Sequence, residues 1–76
     1  MKDLLERIAR AFVDRPEEVS VVQIEEDDAT IFELTVAPDD LGKVIGRQGR
    51  TAKAMRTMLS AAGMKVRRRL VLEILE

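Results

Sequence analysis

Between Gly42 and Thr57 the chain reads Gly-Lys-Val-Ile-Gly-Arg-Gln-Gly-Arg-Thr-Ala-Lys-Ala-Met-Arg-Thr, and three of its four glycines fall in the first half of that stretch. Gly46 and Gly49 stand three apart, with Arg47 and Gln48 between them. A loop with no Cβ at either end lets a bulky polyanion approach the main chain closely. The alanine- and methionine-rich helical pattern that begins at Arg50 would aim its unpaired N–H groups and its positive dipole end at the same place. Lys43, Arg47, Arg50 and Lys53 add four positive charges around it. These residues are suited to holding phosphate oxygens, so the sequence predicts a grip on nucleic-acid backbone.

Other chemistry has little to work with. The chain has no cysteine and no histidine, which removes disulfides, thiolate chemistry, zinc sites and imidazole catalysis. Ser20 and Ser60 have no histidine base, so no enzyme is expected. The four carboxylates from Glu25 to Asp28 crowd one turn and lack the ligand spacing and glycine of a calcium loop. A solvated turn accounts for them, and neither a metal nor a cofactor is expected.

Charge is distributed unevenly. Residues 1–40 carry four basic and twelve acidic side chains, a balance of −8, whereas residues 41–76 carry nine and two, a balance of +7. Such asymmetry suggests one side that attracts a polyanion and one that repels it. Seventy-six residues suffice for one small domain, 1–76, near the lower limit of what an apolar core alone can hold. The charged N-terminus is unlike a signal peptide, and no apolar run reaches the roughly 18 residues of a membrane span. A cytoplasmic protein without membrane attachment is expected.

The elements that must position the grip follow from periodicity. Leu4, Leu5, Ile8, Ala11 and Phe12 recur at helical spacing over residues 2–14, and Pro16 should stop that helix by about Asp14. Residues 19–24 and 30–36 read as strands of a hairpin, the second with Phe32, Leu34 and Val36 on one face and Ile31, Glu33 and Thr35 on the other. Asp39 or Asp40 can cap a short helix that carries Leu41, Val44 and Ile45 inward. A longer helix is expected from Arg50 to Ala62, with Gly63 as its stop, and a last strand from Val66 to Leu75. A right-handed crossover would set that strand parallel to the second. The expectation is an α+β domain of order αββααβ: a three-stranded mixed sheet, second strand central, with helices packed on one face. Ile31, Val71 and Leu75 would lie on the open face, either scattered or as a self-association patch.

This order, with Val44-Ile45-Gly46-Arg47-Gln48-Gly49 between two helices, resembles a type II KH domain, and the resemblance covers the whole chain. The run from Leu41 to Met55 is similar to the KhpA family of small single-KH RNA-binding proteins of bacteria. The resemblance implies a glycine loop that holds the backbone of short single-stranded RNA and a base-contacting groove made by the flanking helices and central strand. It also implies a part in post-transcriptional regulation. Gly46, Arg47, Gln48 and Gly49 would take the loop role, supported by Lys43 and Arg50. Val44 and Ile45, with Leu34 or Val36, would supply aliphatic walls, although each suits the core equally well. It further implies a partner, either a second copy forming a homodimer or a larger protein with its own KH domain. The only aromatics, Phe12 and Phe32, cannot provide exposed rings for stacking bases.

Three other readings compete. A nucleotide P-loop fails because Val44 replaces its first glycine and Arg50 its lysine. A helix-hairpin-helix would grip DNA backbone with a glycine turn but does not need flanking strands. A protein-interaction module would dock an acidic partner on the basic half, where Lys65, Arg67, Arg68 and Arg69 are concentrated.

Overall fold

Local patterning builds the same six elements in the computed structural model, which describes residues 1–76. They are α1 (Lys2–Phe12), β1 (Ser20–Glu25), β2 (Ala29–Thr35), α2 (Leu41–Ile45), α3 (Arg50–Val66) and β3 (Arg69–Ile74). Strand β2 is central, antiparallel to β1 and parallel to β3. This is the αββααβ order with a mixed sheet expected from the sequence. The three helices cover one face of the sheet, and the core between them joins Leu5 and Ala9 of α1, Val44 of α2 and Met55 and Leu59 of α3 to Val21, Phe32, Leu34 and Leu72 of the strands. The pleat of β2 explains the sidedness: Phe32 and Leu34 are buried, while Ile31, Glu33 and Thr35 face the other way. On that open face Ile24, Ile31 and Val71 stand in register across all three strands. A helix-hairpin-helix does not require such a sheet.

Two expected helix ends lie elsewhere, each for a tertiary reason. Helix α1 ends at Phe12, not Asp14, because the N–H groups of Asp14 and Arg15 donate to the Asp40 carboxylate at 3.2 and 3.0 Å. Asp40 therefore does not cap α2; its carboxylate meets the α1 end and the Lys43 side chain instead of the free N–H groups of α2, and Asp39 makes no cap bond either. Helix α3 runs through Gly63 to Val66, and β3 starts at Arg69 where residue 66 was expected. Its end is a Schellman motif: Arg68 N–H bonds Gly63 C=O at 2.9 Å and Arg67 N–H bonds Met64 C=O at 3.4 Å. Arg67 takes the left-handed position usual for glycine, at φ 54°. Gly63 is needed one turn earlier, since a Cβ there would lie 2.3 Å from the Arg68 carbonyl oxygen.

The same chain reversal sends Arg68 onto the acidic hairpin. Its guanidinium donates to Thr30 Oγ1 at 2.8 Å, to the Ala29 carbonyl at 2.7 Å, to the Glu26 carbonyl and to Glu25 Oε2 at 3.2 Å. A planar fork of five donors suits a turn that presents several acceptors at once. Arg68 thus serves the fold, while Arg67 and Arg69 on either side of it stay exposed and unpaired. The Glu25 carboxyl is held below its ordinary value by bonds from Gln23 and Thr30 and by Arg68, against some desolvation.

Opposite effects are expected at the two ends of the Schellman motif. Gly63→Ala should destabilise the domain by about 1–2 kcal/mol, because crowding a backbone carbonyl outweighs the gain in helix propensity. Arg67→Gly should stabilise it by about 0.5–1 kcal/mol by relieving the left-handed backbone. Urea denaturation checks both, and a stabilising Gly63→Ala would contradict the packing.

Candidate nucleic-acid interface

The segment between α2 and α3 begins where α2 runs out of room. Gly46 N–H closes the helix on the Gly42 carbonyl at 2.9 Å, and Gly46 then adopts φ 82° and ψ 169°, a region open essentially to glycine alone. A tight turn follows: Gly49 N–H returns to the Gly46 carbonyl at 3.0 Å, with Gln48 and Gly49 both left-handed. The two glycines are needed for different reasons. A Cβ on Gly46 would lie 2.3 Å from Thr51 Oγ1, whereas one on Gly49 would meet nothing within 4 Å. Gly46 lets the loop fold back on the first turn of α3, and Gly49 leaves open space at the helix entrance.

Around this turn the expected residues separate into three groups. Arg47, Gln48, Arg50 and Lys53 are exposed at the N-terminal end of α3, with Arg50 donating to Gln48 Oε1 at 3.1 Å. Ile45, Gly46 and Gly49 are half-buried beneath them. Val44 is completely buried and belongs to the core, as are Leu34 and Val36. Leu34 and Val36 therefore offer no aliphatic wall to a ligand; of the expected wall residues Ile45 alone keeps accessible surface, and Leu41 on the same short helix is half-buried too.

Lys43 differs from its expected partners. Its ammonium lies 2.6 Å from Asp14 Oδ2 and 3.3 Å from Asp40 Oδ1, on the α1 side of the loop. Burial pushes the Asp40 carboxyl up, but the Asp14 and Arg15 N–H bonds and the Lys43 ammonium outweigh it and hold Asp40 below its ordinary 3.8. Lys43 is raised above its ordinary 10.5 by its bonds to Asp14 and Asp40, against some desolvation.

Helical spacing adds a residue that the loop-centred reading overlooked. Arg56 is exposed one turn beyond Lys53 and one turn before Ser60. Ser60 lines a notch of about 320 Å³ with Gly63, Arg67, Arg69 and Leu70, at the corner where α3 turns into β3. A basic stripe thus leads along α3 from the glycine loop. On the other flank of α3, Arg50, Thr51, Ala54, Met55 and Met58 form a cleft with Ile8 and Phe12 of α1; contrary to expectation Phe12 does offer an exposed ring, 49% accessible, because α1 ends there at the rim of the cleft.

An αββααβ sheet-and-helix domain with a glycine-bounded turn at the entrance of its long helix is a KH domain. The comparisons with known proteins agree: residues 2–74 match the family model described as KhpA/KhpB, KH domain. The chain is 53% identical over 75 residues to the RNA-binding protein KhpA of Clostridium acetobutylicum, covering 99% of this chain and all of that one. It is 50% identical to RNA-binding protein KhpA of Aquifex aeolicus over the whole of this chain and 96% of that one. It is also 50% identical to that of Halalkalibacterium halodurans over the full length of both. The chain belongs to the KhpA/KhpB KH-domain family, which is non-enzymatic. No helix is long and apolar enough to cross a membrane.

The two glycines should respond unequally to alanine. Gly49→Ala should cost about 1–2 kcal/mol, for its left-handed backbone alone. Gly46→Ala should cost at least about 2 kcal/mol and exceed it, since strain and the Thr51 contact add. Equal losses on denaturation would contradict the geometry.

A proton titration tests the ion pairs. A depressed folded-state value means Asp40 stabilises the fold fully above 3.8 and loses that contribution as pH falls through its folded value. Lys43 stabilises it fully below 10.5 and loses its contribution as pH rises through its raised value. NMR titration should place the Asp40 midpoint below 3.8 and that of Lys43 above 10.5. An Asp40 midpoint at or above 3.8 would remove the network.

Proposed function

We propose that this domain binds short single-stranded RNA by its backbone, with the Gly46–Gly49 turn as the grip. The observation that carries this reading is the turn itself, set at the entrance of a 17-residue helix with Arg47, Arg50 and Lys53 exposed around it. Gly49 has open space where a Cβ would stand, so phosphate oxygens can approach the main chain there. The relatives' shared name, RNA-binding protein KhpA, supports RNA as the polymer. Bases would rest on aliphatic surface from Ile45, and Phe12, which shares a cleft with Arg50 and Thr51 just after the loop, adds an exposed ring at its edge. Such a protein fits post-transcriptional regulation in a bacterial cytoplasm. Its partner would be a second copy or a larger KH-containing protein, and the α1–α3 cleft around Phe12 and Met58 supplies apolar surface for it.

About three neutralised phosphates give a log–log salt slope of roughly −2 for a single strand. The decisive variant is Arg47→Asp with Gln48→Asp, which keeps both glycines and changes the loop from +1 to −2. Both positions are exposed, and Asp tolerates the left-handed backbone of residue 48, so stability should move by no more than about 0.5 kcal/mol. RNA affinity, read by fluorescence anisotropy, should fall at least about tenfold. Unchanged affinity would show that the turn is not the grip, and tighter binding of duplex DNA would favour a different polymer.

A further inference from the structure

We infer that Lys43, three residues before Gly46, does not hold phosphate but positions the glycine loop through its ion pairs with Asp14 and Asp40. The inference rests on the reading of the turn as the RNA grip and changes the role of one of its cations. The Asp40 side chain is 2% exposed and already accepts two N–H bonds from the α1 end. Lys43 supplies its only cation and at the same time meets Asp14 at 2.6 Å. Two carboxylates against one ammonium leave this corner at −1, so an arriving phosphate meets a negative patch. Drawing the ammonium away would also leave a buried carboxylate without its counter-charge, which is strongly unfavourable.

Geometry gives the ammonium other work. Helix α2 has five residues, too few to hold a direction unaided. Val44 anchors it in the core, and the Lys43 bridge ties it sideways to the α1 end. Gly46 follows directly, so any rotation of α2 swings the turn relative to α3. Arg47, Arg50 and Lys53 make no ion pair and remain available to phosphate.

Three variants separate the roles, each titrated with an oligouridine 8-mer across a salt series at a temperature where circular dichroism shows a folded protein. Lys43→Met should weaken binding about threefold or more while leaving the salt slope unchanged. Arg47→Gln should make the slope less negative by about 0.7, the mark of a lost phosphate contact. A slope change of that size in Lys43→Met, or unchanged affinity, would overturn the inference. An unchanged slope in Arg47→Gln would instead overturn the loop as the grip. Asp14→Asn provides a check on sign and a fallback should Lys43→Met not fold, because the Asp14 side chain is 78% exposed and its loss is readily tolerated. It frees Lys43 from its shorter pair, so a phosphate-binding lysine would then bind RNA more tightly. We expect no gain, and tightening of about threefold or more would overturn the inference.

Discussion

A buried carboxylate organises the loop end of this domain. Asp40 is 1% exposed, and a carboxylate in that position is tolerable only if its oxygens are fully engaged. Its partners come from two elements distant in sequence: the N–H groups of Asp14 and Arg15, just past α1, and the ammonium of Lys43 on α2. One side chain thus ends the first helix, turns the chain toward β1 and fixes the short helix that leads into the glycine turn. No buried side-chain polar atom is left without a partner.

The second organising feature is the absence of side chain at particular positions. Gly46 permits a backbone conformation and a close approach to Thr51, while Gly49 permits a conformation and leaves space. Gly63 makes room for a carbonyl at the far end of the same helix. Close packing against a glycine therefore marks both ends of helix α3, Gly46 against Thr51 at the start and Gly63 against the Arg68 carbonyl at the end, which sets where the basic stripe begins and where β3 departs. That stripe is usable because Arg68 and Lys43 are drawn off it. Arg68 closes the acidic hairpin and Lys43 closes the Asp14–Asp40 corner, so part of the charge asymmetry of the chain is spent inside the fold. Of the cations left outward, Arg47, Arg50, Lys53 and Arg56 follow the loop and the first half of α3, and Lys65, Arg67 and Arg69 stand at its far end.

Element order, strand pairing and the sidedness of the sheet were legible in the sequence, because Phe32, Leu34 and Val36 alternate with Glu33 and Thr35 and a two-residue period admits one inward face. The glycine turn was legible for a similar reason: two glycines bounding Arg47 and Gln48 before a helical pattern leave few backbone options. These are local constraints, written in spacing. What only the tertiary structure decided depends mostly on residues 25 to 43 positions apart, and at Gly63 on a chain reversal five residues long. Asp14, Asp40 and Lys43 look like surface charges when read singly, and only their meeting shows Lys43 facing α1 and α1 ending at Phe12. Gly63 reads as a helix stop until the Arg68 carbonyl folds over it, and Arg68 reads as one of three basic neighbours until it reaches the hairpin. A charge or a glycine in a sequence states what a position can tolerate; which partner it meets is settled when distant segments pack.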